Sequence, residues 1–194
     1  MSCGNSVLTP EIQAKIGFLG ERTKCWGVVE QEGLRRFSQA LMDPDPRYWD
    51  DEFAASTKFG RVITPPIYPS YMDRSPPWGD DVVSESFKKN INSDGMGGFP
   101  NRSGLPPIET SLKRILNGGN EIEVYEYAAL GDEIYLQSKY AGIIERESKK
   151  GDHLLIVTVE TTYTNQRNHV LCVTRQALIH RKFFDGKTYN ANSK

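Results

Sequence analysis

Asp43-Pro44-Asp45-Pro46-Arg47-Tyr48 gathers two carboxylates and a phenol in a proline-punctuated run, the densest group of chemistry-bearing side chains in the chain. Two readings are open for the carboxylates. They can cap a helix starting near Pro46, because an aspartate oxygen satisfies the unpaired N–H groups of a first turn. Alternatively Asp43 orients a water in a site. Tyr48 is a poor base, since a phenol with a pKa of about 10 keeps its proton at neutral pH. On the plainer reading Tyr48 and Trp49 are packing residues whose polar tips find partners. Asn117-Gly118-Gly119-Asn120-Glu121 places adjacent glycines before a strand. That pattern allows close backbone approach to a ligand, and equally serves a bulge or tight turn. It is not a phosphate-cradling loop, as neither GxGxxG nor GxxxxGK[ST] occurs as such a turn.

The other reactive side chains lack a constellation. His153 opens one strand, His169 sits in a hairpin turn and His180 lies in the last strand, none of them following an aspartate at a spacing that would pair them on one water. Ser103, Ser111 and Cys172 have no nucleophile elbow around them. Cys3, Cys25 and Cys172 are odd in number and widely spaced, which argues against a disulfide framework and against a zinc site. No metal is expected. Arg146, Lys149 and Lys150 would attract a phosphorylated ligand or simply form a solvated turn.

The elements that must hold these groups fall into two halves. Thr9-Pro10-Glu11 predicts a helix start, with cap, first-turn proline and first-turn acid in order, and a short helix to about Gly17. Cys25 to Glu30 has strand character. Glu32 to Met42 spaces Leu34, Phe37, Ser38 and Leu41 as one face of a helix, which Pro44 and Pro46 stop. Arg47 to Thr57 predicts a second short helix, with Gly60 taking a positive φ beyond it and Pro65-Pro66 forcing an extended exit. Residues 73–109, rich in Gly, Pro, Ser, Asn and Asp, predict a long loop with little regular structure. The second half predicts strands over 120–127, 133–147, 153–165 and 170–182. The clearest is the third, where Leu155, Val157, Val159, Thr161 and Tyr163 share one alternation. Gly131-Asp132, Lys150-Gly151-Asp152 and Asn165 to Asn168 supply the turns.

At 194 residues the chain suits one domain rather than two. The division expected is an unstructured 1–8, a single domain over 9–184 containing the 73–109 loop, and a flexible tail over 185–194. Lys plus Arg number 24 against 25 Asp plus Glu and are scattered, so nothing demands nucleic acid or a membrane surface. No apolar run approaches the roughly 18 residues of a membrane span and no leader pattern is present, so a reducing cytoplasm is the expected location.

The run from Asp43 to Pro66 resembles the signature of the MaoC-like (R)-specific enoyl-thioester hydratases and dehydratases, in which Asp-x-Asn-Pro-x-His is followed by a helix and an apolar Phe-Gly turn. Asp43, Asp45 and Pro46 fit that frame, and Tyr48 stands where the family has histidine. Leu116 to Glu121, Gly131-Asp132 and Thr161 to Gln166 carry the rest of the likeness, which spans roughly residues 10–182. The resemblance implies an α+β hot-dog fold: a curved antiparallel sheet around a central helix, here shortened as in the N-terminal, non-catalytic type of domain. It implies a degenerate site at Asp43, Asp45 and Tyr48, with no catalytic residue of its own. Phe59, Gly60, Pro65, Pro66, Asn117, Gly118, Gly119 and Asn120 would border the acyl channel. It implies one subunit of a heteromeric enoyl-CoA hydratase, binding an acyl-CoA thioester without a cofactor beside a second hot-dog subunit with intact Asp and His, in a heterodimer or heterotetramer. A self-sufficient homodimeric hydratase and a non-catalytic acyl-CoA-binding protein are the alternatives.

Overall fold

A computed structural model of the chain describes residues 6–73, 77–79, 81–91, 103–149 and 151–182. Four long strands and one short one form an antiparallel sheet in the order β1-β3-β4-β5-β2: β1 (Thr23–Lys24), β2 (Arg114–Val124), β3 (Tyr135–Glu147), β4 (His153–Thr164) and β5 (Val170–Arg181). With the helical segments below, this is the α+β hot-dog architecture. β4 lies at the centre because its alternation lets one face carry the core: Leu155, Val157 and Tyr163 are buried. β2 is an edge strand paired only with β5 among the described strands.

Helices α1 (Pro10–Gln13), α2 (Gln31–Leu41), α3 (Asp51–Ser56), α4 (Tyr68–Tyr71) and α5 (Val82–Lys89) precede the long strands. Thr9 caps α1 through its side chain, but the helix ends at Gln13 and continues as turns to Gly17, whose N–H donates to Tyr140 on β3 at 2.8 Å. Leu34 and Ser38 of α2 are buried and Phe37 packs edge-on against Tyr68, centroids 5.1 Å apart. Met42 then turns left-handed at φ 55°, and the Asp43 N–H closes the helix on the Ser38 carbonyl at 3.1 Å. Helix α4 packs on β5, with Tyr68 at its start and Met72 just past its end fully buried.

Several local expectations are corrected. Cys25 to Glu30 is not a strand, because Gly27 at φ 81° breaks the extended run; Cys25 and Val29 instead donate singly to Ile134 and Asp132. Arg47 to Thr57 splits into a 3-10 turn, Pro46–Tyr48, and α3, with Asp50 capping the latter at 2.9 Å to Phe53 N–H. The 73–109 stretch contains α5, capped by Asp81; Gly95 to Gly98 lie outside the described residues. β2 begins at Arg114, ahead of the glycines, so Asn117 to Gly119 form a bulge within it. Residues 1–5, 183 and 184 and the 185–194 tail lie outside the described residues, whereas Val7 and Leu8 pack on the core where no structure was expected.

That core comes in two parts. One gathers Leu34, Tyr68, Met72, Ile134, Leu136 and Tyr163 under the helices; the other gathers Ile12, Leu105, Leu112, Ile143, Leu155 and Val157 at the opposite end of the sheet. No helix among the described residues is long and apolar enough to cross a membrane.

Candidate functional site

The Asp43–Tyr48 turn is held together by its own carboxylates. Asp43 Oδ1 accepts the Asp45 N–H at 3.2 Å, and Asp45 Oδ1 accepts the Arg47 N–H at 3.0 Å as the cap of the 3-10 turn. The Arg47 guanidinium lies on both Asp45 oxygens, with Nε 3.0 Å from Oδ1 and 2.9 Å from Oδ2 and Nη2 also bonded to Oδ2. That cation holds the Asp45 carboxyl below its ordinary range. Asp45 is therefore committed to the turn and away from proton transfer.

Asp43 and Tyr48 line one cavity of about 420 Å³ between α2 and the turn, together with Arg35, Ser38, Gln39 and Trp49. Tyr48 is 6% exposed. Burial raises the pKa of its phenol, and the Asp43 and Asp45 carboxylates push it the same way, so the hydroxyl is held protonated more firmly than a free tyrosine. It can donate a hydrogen bond and cannot abstract a proton at neutral pH. Ser38 Oγ at the cavity wall is buried without a hydrogen-bond partner among the described residues.

A second cavity of about 450 Å³ lies on the inner face of the sheet between the two parts of the core, beside α4. Ser70, Asn120, Val159, Thr161, Thr174 and Gln176 are among the residues lining it. Of the residues expected to border an acyl group, Asn120 alone lines this space. Asn117 folds back on the Gly119 N–H at 3.0 Å, and a Cβ on Gly118 would come within 2.9 Å of Ile179, so these two residues build the bulge. Phe59 packs against Tyr127 at 5.2 Å, Gly60 turns at φ 66°, Pro65 accepts from Tyr68 N–H at 3.0 Å to start α4, and Pro66 is half-buried. None of these four lines either cavity. Thr174 and Gln176 were missed, since an alternating strand shows which residues share a face but not that a gap lies above them.

The histidines stand apart from both cavities. His153 Nδ1 is 2.6 Å from Glu145 Oε1, His169 Nδ1 is 3.0 Å from Glu126 Oε2, and His180 is buried against the Leu112 backbone. Among the described residues no group of three His, Cys, Asp or Glu side chains is placed to hold a metal.

A family model described as "FAS1-like, dehydratase domain region" matches residues 18–174. No curated protein matches the sequence. The structure superposes on a chain of the ChsH1-ChsH2 complex from Mycobacterium tuberculosis with a TM-score of 0.65 at 10% identity, covering 89% of this chain and 88% of that one. It superposes on the MaoC-like dehydratase from Rhodospirillum rubrum with a TM-score of 0.52 at 20% identity, covering 85% and 93%. The HadBC complex from M. tuberculosis, a 3R-hydroxyacyl-ACP dehydratase, gives 0.52 at 14% identity over 85% and 98%.

Proposed function

The chain belongs to the FAS1-like dehydratase domain region family of MaoC-like hot-dog hydratases and dehydratases, and from that premise we propose that it is the acyl-binding, non-catalytic subunit of a heteromeric enoyl-thioester hydratase. The reaction adds water reversibly across the double bond of a 2-enoyl thioester. A base removes a proton from water, the oxygen bonds to C3, the π electrons move toward the thioester carbonyl, and C2 takes a proton to give the 3-hydroxyacyl thioester. Backbone N–H groups or a helix end steady the charge that develops on the carbonyl oxygen. Water and the thioester, carried on coenzyme A, are the only reactants, so no cofactor enters.

The observation that carries the reading is Tyr48: the residue in the base's place is a buried phenol whose proton is held by burial and by two neighbouring carboxylates. General acid–base catalysis contributes roughly 10²–10⁴-fold, and this chain lacks the group that would supply it. A second hot-dog subunit with an intact Asp and His supplies both, in a heterodimer or heterotetramer. ChsH1-ChsH2 and HadBC are named as complexes, and the open edge of β2 gives this chain a surface for such a pairing. Cys25 and Cys172 are buried thiols outside any disulfide, which suits a reducing cytoplasm.

The test is hydration of a 2-enoyl-CoA, followed by loss of the enoyl thioester absorbance, by the chain alone and by the complex isolated from its native source. Turnover is expected only in the complex, and Tyr48→Phe in the complex should change kcat by less than about twofold. A second reading, a self-sufficient homodimer, draws on Asp43 and Tyr48 sharing one cavity. Full turnover by the isolated chain that collapses in Tyr48→Phe, with the fold intact, would establish it and overturn the first.

A further inference from the structure

The inner face of the sheet is not apolar throughout. Read across β3, β4, β5 and β2, one row is Ile143, Val157, Leu178, Asn117 and another is Leu136, Tyr163, Cys172, Val124. Between them run Tyr140, Val159, Gln176, Asn120 and Ser138, Thr161, Thr174, Ile122. On β3, β4 and β5 the two outer rows feed the two parts of the core, while their β2 members Asn117 and Val124 are exposed. The two inner rows carry hydroxyls and amides where a face built to seat a helix would carry hydrocarbon, because burying such groups unpaired costs free energy.

On the β3 and β4 side those groups satisfy one another: Ser103 Oγ donates to Ser138 Oγ at 3.1 Å, and Ser138 and Thr161 hydroxyls are 2.8 Å apart. On the β5 and β2 side Thr174, Gln176 and Asn120 face the cavity of about 450 Å³. Asp73 also lines it, Glu121 borders it from a position whose register with Arg175 and Glu160 belongs to the other face of the sheet, and no lysine or arginine lines it among the described residues. Ligand pockets of this size are ordinarily lined mostly by apolar side chains with a few polar ones. Here Ile67, Ile122, Val159 and Tyr163 share the lining about evenly with the hydroxyls and amides.

We propose that this cleft receives the distal part of the acyl group and selects a tail carrying uncharged hydrogen-bonding groups, hydroxyls above all, over a saturated hydrocarbon. The inference rests on the acyl-binding role proposed above and adds the class of acyl group. A hydroxyl can donate to Asp73 or the amide oxygens and accept from the amide N–H groups of Gln176 and Asn120. A carboxylate-bearing tail meets the like charge of Asp73, with no lysine or arginine among the described lining residues to offset it.

Calorimetric titration of the complex, and of the chain alone, with decanoyl-CoA, 6-hydroxydecanoyl-CoA and the mono-CoA ester of decanedioic acid tests this. The hydroxylated probe should bind about tenfold more tightly than decanoyl-CoA, the worth of one net hydrogen bond, and the diacid probe most weakly. Gln176 is solvent-exposed, so Gln176→Leu should fold, and it should shrink or reverse the preference for the hydroxylated probe. Equal or tighter binding of decanoyl-CoA overturns the inference and leaves the acyl-binding role standing. Failure of all three probes to bind overturns both.

Discussion

At the scale of single residues, the carboxylates of the Asp43–Tyr48 turn spend their hydrogen bonds on the turn itself. Asp45 is bound by Arg47, and Asp43 closes the turn on the Asp45 N–H. Asp45→Ala removes a cap and an ion pair that is partly exposed, and a cap alone is worth about 1 kcal/mol. Urea unfolding of the variant should therefore show a loss of about 1–1.5 kcal/mol with an unchanged slope; no loss would mean the turn is held from outside. His180 gives a pH dependence of definite sign. Burial pulls its pKa below the ordinary histidine value, against a smaller upward pull from its hydrogen bond to the Leu112 backbone. The unfolded chain therefore binds more protons between that depressed pKa and about 6.5, and stability falls as the pH falls through this window. The urea midpoint should drop between pH 7 and pH 5, and His180→Gln should flatten that drop. An identical drop in the variant would remove His180 as the cause.

At the scale of elements, the pairing of chain segments depends on close approaches that only a few positions permit. Gly20 is one: a Cβ there would lie 2.0 Å from the Ser103 carbonyl oxygen, which accepts the Glu21 N–H at 2.7 Å. The neighbour is backbone and cannot swing aside, so Gly20→Ala should cost at least the 1–3 kcal/mol typical of overpacking. It should also free the segment around Ser103, read as faster amide exchange at Glu21 and Ser138 than in the parent; unchanged exchange would show that the segment is held elsewhere. The sequence displays elements of this kind unequally. β4 was legible because alternation of Leu155, Val157 and Tyr163 with half-buried partners is a period that nothing else produces. α2 was legible for the same reason at the helical period. The start of β2 was hidden by Gly118 and Gly119, which read as a bulge or tight turn ahead of the strand and instead sit in a bulge within it, paired to β5. α5 was hidden because a capped helix of just over two turns, Asp81 with Val82–Lys89, is diluted by the glycines and prolines around it.

At the scale of the whole molecule, the two cavities differ in how far the sequence could foretell them. Asp43 and Tyr48 are close in the chain, so a local motif brought them together on paper. The sheet cavity draws on α4, β2, β4 and β5, and only the register of the strands shows that Gln176 and Asn120 stand side by side. The same register leaves β2 at the edge of the described strands, with Val124 38% exposed and Tyr125, just beyond it, 59% exposed. Apolar groups on an unpaired strand are a liability for a solitary chain and an asset for a paired one. If the partner joins at this edge, Val124→Lys should leave the isolated chain within about 0.5 kcal/mol of its parent stability, as expected for a surface position. It should abolish the complex, because the lysine would be desolvated against a neighbouring strand. Size-exclusion chromatography with light scattering then separates the cases: the parent chain elutes with its partner and the variant elutes alone. A complex that survives Val124→Lys with full hydratase turnover would move the partner off the β2 edge and onto the helical face of the molecule.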